Sequence, residues 1–125
     1  MAADCNQVGW FEIPVTDMQR AKSFYENILQ ITLQLRNVNA VEMAWFPMRA
    51  DATGSAGSLV KGAGYVPSAN GVLIYFTTPD IDAVLDRVAA SGGKVISRKT
   101  GIGEYGSVGF FCDSEGNRIA LHARA

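Results

Sequence analysis

Cysteine and histidine are scarce in this chain of 125 residues: there are two of the first, Cys5 and Cys112, and one of the second, His122. The cysteines lie far apart and lack metal-ligand spacing, so a thiolate metal or redox motif is excluded and two reduced thiols are expected. Long apolar runs are also missing. No stretch reaches the roughly 20 residues that span a bilayer, and Met1 to Gln7 lacks the basic and apolar regions of a signal peptide. A cytoplasmic location and no membrane partner are the expectation. Charge of one sign is absent too, with 11 Lys and Arg against 12 Asp and Glu. The longest basic cluster is Arg98-Lys99, which leaves no footprint for nucleic acid. The chain also lacks a Gly-x-Ser-x-Gly elbow, a phosphate-cradling Gly-Lys-Ser/Thr loop and a dinucleotide fingerprint. Hydrolase, nucleotidase and dehydrogenase readings therefore have no starting residue.

What is there is an ordinary globular balance, 48% apolar and 18% charged residues, at the commonest size for one domain. Val8 to Val15 alternates as a strand, with Phe11, Ile13 and Val15 on one face and Trp10, Glu12 and Pro14 on the other. Thr16 followed by Gln19 reads as a capping box. Ala21, Phe24, Tyr25, Ile28 and Leu29 then recur at helical spacing up to about Leu29. Three β-prone runs follow, Ile31 to Arg36, Val41 to Met48 and Ser58 to Lys61. The segment from Gly62 to Gly71 is rich in breaking residues and reads as a connector. After it the order repeats. Val72 to Thr78 is a strand. A helix starts at Asp80 with the stripe Ile81, Val84, Leu85, Val88 and stops at Gly92-Gly93. Lys94 to Lys99, Ser107 to Cys112 and Arg118 to Arg124 are strands, the last two joined by the turn Asp113 to Asn117.

The expected fold is therefore α+β, one domain of two βαβββ modules: module one over 8–61, the connector over 62–71 and module two over 72–124. A shift of 63 residues superposes the halves, core position on core position, and pairs Trp10 with Leu73 and Glu12 with Tyr75. These four share the strand face that the helices do not cover. Helices on the outer face of a curved mixed sheet leave the other face as a cup, the natural place for a small-molecule ligand.

The stretches Phe11-Glu12-Ile13-Pro14-Val15-x-Asp17-x-x-Arg20-Ala21-x-x-Phe24-Tyr25, Asp80-Ile81-Asp82-Ala83, Gly92-Gly93-Lys94-Val95 and Asp113-x-Glu115-Gly116-Asn117-Arg118-Ile119-x-Leu121-His122 resemble the vicinal oxygen chelate superfamily, the relatives of glyoxalases, bleomycin-resistance proteins and extradiol dioxygenases. The resemblance covers nearly the whole chain. It implies a divalent metal in the cup, held by His or Gln on the first strand, His on the strand opening the second unit and Glu on the last strand. Those positions fall on Trp10, Leu73 and Ala120, none of which has a lone pair to give a metal. No cofactor is therefore expected. A displaced site would have to draw on Glu12, His122 and Glu104. The resemblance also implies a twofold homodimer.

Candidate site residues follow from the cup. Trp10 and Tyr75 supply flat walls with polar tips, and Trp45 or Phe46 joins from the third strand, whose facing the alternation leaves open. Glu12 is the polar anchor or, if desolvated, a general base, with His122 or Tyr75 as its acid partner. Glu104 and Tyr105 lie on the loop Ile102 to Gly106, which resembles one that borders the pocket in related proteins, its glycines suiting a lid. Met43 and Met48 read as packing. The first functional expectation is metal-independent binding of an aromatic or amphipathic molecule. The alternative is a lyase or isomerase that abstracts a proton beside a carbonyl, using Glu12.

Overall fold

A computed structural model describes residues 6–125, which leaves Cys5 outside the described residues. Strand β1 (Trp10–Pro14) leads into helix α1 (Met18–Leu29) and strands β2 (Gln34–Val38), β3 (Val41–Trp45) and β4 (Ala56–Lys61). The second half runs β5 (Ile74–Thr77), α2 (Ile81–Val88), β6 (Lys94–Gly101), β7 (Ser107–Cys112) and β8 (Arg118–Ala123). The strands form two four-stranded sheets, ordered β1-β4-β3-β2 and β5-β8-β7-β6. In each sheet the first strand runs parallel to the last, and the remaining neighbours are antiparallel. The α+β repeat of two βαβββ units is thus realised as two open sheets. Strands β1 and β5 are both left as edges. No described helix is long and apolar enough to cross a membrane.

Helix α1 begins differently from the capping box expected at Thr16. Asp17, in extended backbone, is the N-cap, and its carboxylate accepts the Arg20 N–H at 3.0 Å. Thr16 is drawn away because its hydroxyl and N–H both donate to Glu115 of the other half. Met18, Ala21, Phe24, Tyr25 and Ile28 form the buried stripe, each large side chain contributing about 1.5–3 kcal/mol. The run after α1 enters the ladder only at Gln34. Ile31 gives its N–H to the Glu26 carbonyl and Leu33 gives its own to the Glu26 carboxylate at 2.8 Å, so neither amide is free for a neighbouring strand. Helix α2 is capped by Asp80, whose side chain accepts from Ala83 N–H. It tightens into a 3₁₀ turn and ends at Gly92, where φ is +105°, a left-handed conformation glycine adopts without a Cβ clash.

One core spans both halves. Ile13, Phe24, Ile28, Ala44 and Leu59 belong to the same buried cluster as Ile81, Leu85, Phe111, Ile119 and Leu121. Polar groups clamp the halves together at the turn 113–117. Tyr25, wholly buried, donates its hydroxyl to Asp113 at 2.5 Å. Burial first, and the neighbouring Asp113 carboxylate second, push the Tyr25 hydroxyl well above the usual phenol range. Asp113 also accepts the N–H groups of Glu115 and Asn117 and the Asn117 amide. The Asn117 amide in turn donates to the Pro14 carbonyl at the end of β1. Glu115 takes the Thr16 and Asp17 N–H groups and two donors of Arg20. Burial pushes its carboxyl up, but these bonds outweigh that and hold its pKa at about 2.

Candidate functional site

The alternation of β1 buries Ile13 and leaves Trp10 and Glu12 exposed on the side away from the helices. The ladder places Glu12 opposite Ser58 and Ser58 opposite Trp45, so the three form a row across the sheet on one face. Trp10 stands beside it, its ring 5.7 Å from that of Trp45 and nearly perpendicular. Arg36 lies over the Trp45 ring at 5.2 Å, and the Trp45 indole N–H donates to the Met43 sulfur. The facing of the Trp45-Phe46 pair is thereby decided. Trp45 joins Trp10 on the open face, while Phe46 turns under the helices, 6% exposed, against Phe11, Tyr25 and Phe76.

The second sheet carries the matching row Tyr75, Ala120, Phe110. Tyr75 is half exposed, its ring 6.2 Å from Phe110, and Arg118 covers the Phe110 ring at 5.2 Å. His122 is paired in register with Thr77 and Val108. Its Nε2 sits 2.6 Å from the Tyr105 carbonyl. A carbonyl only accepts, so Nε2 carries the proton and Nδ1 is the nitrogen left for other chemistry. Glu104 and Tyr105 lie on an exposed 3₁₀ turn closed by the bonds Ile102 N–H to Gly106 O and Gly106 N–H to Gly103 O. A Cβ on Gly106 would stand 2.0 Å from the Ala123 carbonyl. The turn is therefore packed against β8 as well as bonded to it through His122.

The donor set does not fit a metal ion. Trp10, Leu73 and Ala120, where the resemblance puts the ligands, have no lone pair to give a metal. Among the described residues no three His, Cys, Asp or Glu side chains come together as a metal-holding group, so Glu12, His122 and Glu104 do not assemble a displaced one. The premise of a desolvated Glu12 is also not met, because its side chain is exposed. Cys112 is a free, half-buried thiol.

Two hollows lie near these residues. A small one of about 190 Å³ runs between the halves and is lined by Glu12, Pro14, Asn117 and Arg118 together with Ser68 and Asn70 of the connector. A larger one of about 820 Å³ opens at the helix side of the seam, lined by Phe11, Phe46, Phe76, Tyr75 and Arg87 among others. The structure thus separates the expected candidates. Trp10 and Trp45 meet on the open face, Glu12 reaches the small hollow, and Phe46 and Tyr75 border the larger one. Sequence reasoning missed Phe11, Phe76 and Arg87 there, because Phe11 and Phe76 carry the alternation of core residues. The one available signal was that both helix-facing edges end in phenylalanine rather than in aliphatic residues.

Comparison with known proteins agrees with this architecture. A glyoxalase/bleomycin resistance protein from Albidiferax ferrireducens superposes with a TM-score of 0.73 at 18% identity, over 95% of this chain and 100% of that one. Glyoxalase I from Zea mays superposes with a TM-score of 0.64 at 19% identity; the match covers 91% of this chain but only 44% of the maize chain, so this chain spans less than half of that protein. At such identities the likeness is one of fold. In sequence, the chain is 30% identical to a glyoxylase-like domain-containing protein of Didymella fabae over 122 residues, 94% of each. The profile of the Glyoxalase/Bleomycin resistance protein/Dioxygenase superfamily matches residues 7–121, and the chain belongs to that superfamily.

Proposed function

We propose that this chain binds a small aromatic or amphipathic molecule, without a resident metal ion, on the sheet faces that the helices leave open. The observation that carries the reading is the pair Trp10 and Trp45, set edge to face beside the exposed Glu12 on an uncovered face. Two indoles supply flat apolar area, and Glu12 and Arg36 bring opposite charges to their borders, the composition of a site that holds an apolar body and orients a polar group. Tyr75 and Phe110 furnish the second half in the same way. A twofold homodimer that brings two open faces together is part of this proposal, supported by the exposure of Trp10 and Tyr75 and by the unpaired edges of β1 and β5. A mass of one chain in solution at micromolar concentration contradicts that part.

The chain has only two tryptophans, and both stand on this face, so selectively excited tryptophan emission reports it. Soluble aromatic compounds should quench the emission saturably, and Trp10→Ala should weaken that binding at least about tenfold, the loss of one buried aromatic contact. Unchanged affinity in Trp10→Ala rejects the assignment. The proton-abstracting lyase or isomerase is the second reading. It rests on the Glu12 carboxylate, exposed and without a hydrogen-bond or ion-pair partner among the described residues, being covered and desolvated by the bound ligand itself. Glu12→Gln would then abolish turnover while sparing binding.

A further inference from the structure

The cleft of about 820 Å³ opens at the seam between the halves, lined by helix-side residues of α2 and by Leu73 and Tyr75 of the second half, and by neither tryptophan. Its floor is the aromatic set Phe11, Phe46 and Phe76, with ring centroids 5.4–5.6 Å apart. Leu29 and Ile31 form one wall. A concavity of this size and lining suits a drug-sized apolar molecule.

One cation borders it. Arg87, half-buried on α2, donates from Nε and Nη2 to the Ile28 carbonyl at 3.0 and 2.8 Å, which fixes the guanidinium at the end of α1. Among the described residues its Nη1 has no acceptor and no carboxylate stands within ion-pair distance. By contrast Arg20, Lys22 and Arg98 are paired with carboxylates, and Arg36 and Arg118 lie over aromatic rings. A positioned guanidinium beside an apolar cavity is the arrangement that receives a carboxylate through a charge-assisted bond. The cleft has one acid, Asp80, whose side chain accepts from Ala83 N–H. It stands seven residues before Arg87, about 10 Å along a helix axis. A second anionic group on the ligand would meet it.

We infer that this cleft is a second ligand site, for an apolar molecule bearing a single carboxylate, with the head group on Arg87 and the apolar body over Phe11, Phe46 and Phe76. The site borders the one proposed on the open face at Tyr75 but shares neither Trp10, Trp45 nor Glu12 with it. No tryptophan lines it, so the two are told apart optically.

The test uses the full chain with octanoate, octanamide, octylamine and octanedioate, followed by calorimetry, thermal melting and tryptophan emission. Octanoate should bind and raise the melting temperature without changing the emission. The amide, the amine and the diacid should bind at least about tenfold more weakly. Arg87→Gln should remove that preference for octanoate over octanamide. Because this change also frees the Ile28 carbonyl, Ala83→Trp serves as the second variant: it keeps Arg87, fills the cleft and should abolish octanoate binding. The inference is overturned by equal affinity for acid and amide, by undiminished binding to Ala83→Trp, or by absence of binding at 10 mM octanoate on the order of weak-ligand limits. Quenching that disappears in Trp10→Ala would place octanoate on the open face instead. Affinity that falls as protein concentration rises would assign the cleft to a second copy. Either result overturns the proposal.

Discussion

In the first half of the chain, β3 and β4 are joined by residues 46–55, of which 47–55 are all exposed. In the second half, β7 and β8 are joined by the turn 113–117, whose Asp113 and Asn117 are 4% and 5% exposed. The two connections stand at equivalent places in the repeat and do opposite work. The short turn reaches across to Tyr25, Pro14, Thr16, Asp17 and Arg20 and clamps the first half to the second. The long one forms part of the rim of the helix-side cleft through Pro47 and Thr53 to Ser55. Repetition of topology thus leaves each unit free to specialise: one end of the seam is sealed by polar bonds and the other stays open. The sheet rows differ in the same sense, Glu12-Ser58-Trp45 against Tyr75-Ala120-Phe110. A buried polar position in the first is apolar in the second.

The sharpest way to break the contrast is Asp113→Ala. It strands the buried Tyr25 hydroxyl, the Asn117 amide and the N–H groups of Glu115 and Asn117, and should cost about 3–5 kcal/mol in urea unfolding. A loss below about 1 kcal/mol would show that the turn is no clamp. Glu115→Gln comes next, at about 2 kcal/mol near neutral pH, discounted because Arg20 is half exposed. The sign follows from a folded pKa of about 2 against an ordinary 4.5. The charged carboxylate stabilises the fold fully above pH about 4.5. That contribution fades as pH falls toward about 2. The gap between Glu115→Gln and the parent should close over that window, and a gap independent of pH refutes the account. The smallest effect is expected at Ser58, fully buried with a hydroxyl that has no partner among the described residues. Ser58→Ala, which installs the residue found at the matching place in the second half, should be neutral or stabilising by up to about 1 kcal/mol. A loss above that would reveal a bond to this hydroxyl.

Much of the fold was legible in the residues. Alternation in β1 separates Ile13 from Trp10 and Glu12, and the stripes of α1 and α2 name their own buried faces, because these periods are local. The unsuitability of Trp10, Leu73 and Ala120 for a metal follows from side-chain chemistry alone. Less was legible in the site. Trp45 and Phe46 are adjacent, so only the register with Ser58 says which of them shares a face with Trp10. The turn Asp113 to Asn117 reads locally as a hairpin connection, and its second task depends on partners 88 to 103 residues away.

Two repeated units, their helix faces, the aromatic furnishing of β1 and the absence of coordinating side chains at Trp10, Leu73 and Ala120 are written in the order of the residues. That two open sheets meet along a seam clamped by Asp113, Glu115 and Asn117 at one end and cleft at the other, with Arg87 beside the opening, emerges only on folding. The physical reason is range: periodicity and side-chain chemistry are written within a few residues, whereas the seam is made by groups that become neighbours only when both halves bury their apolar faces in one core.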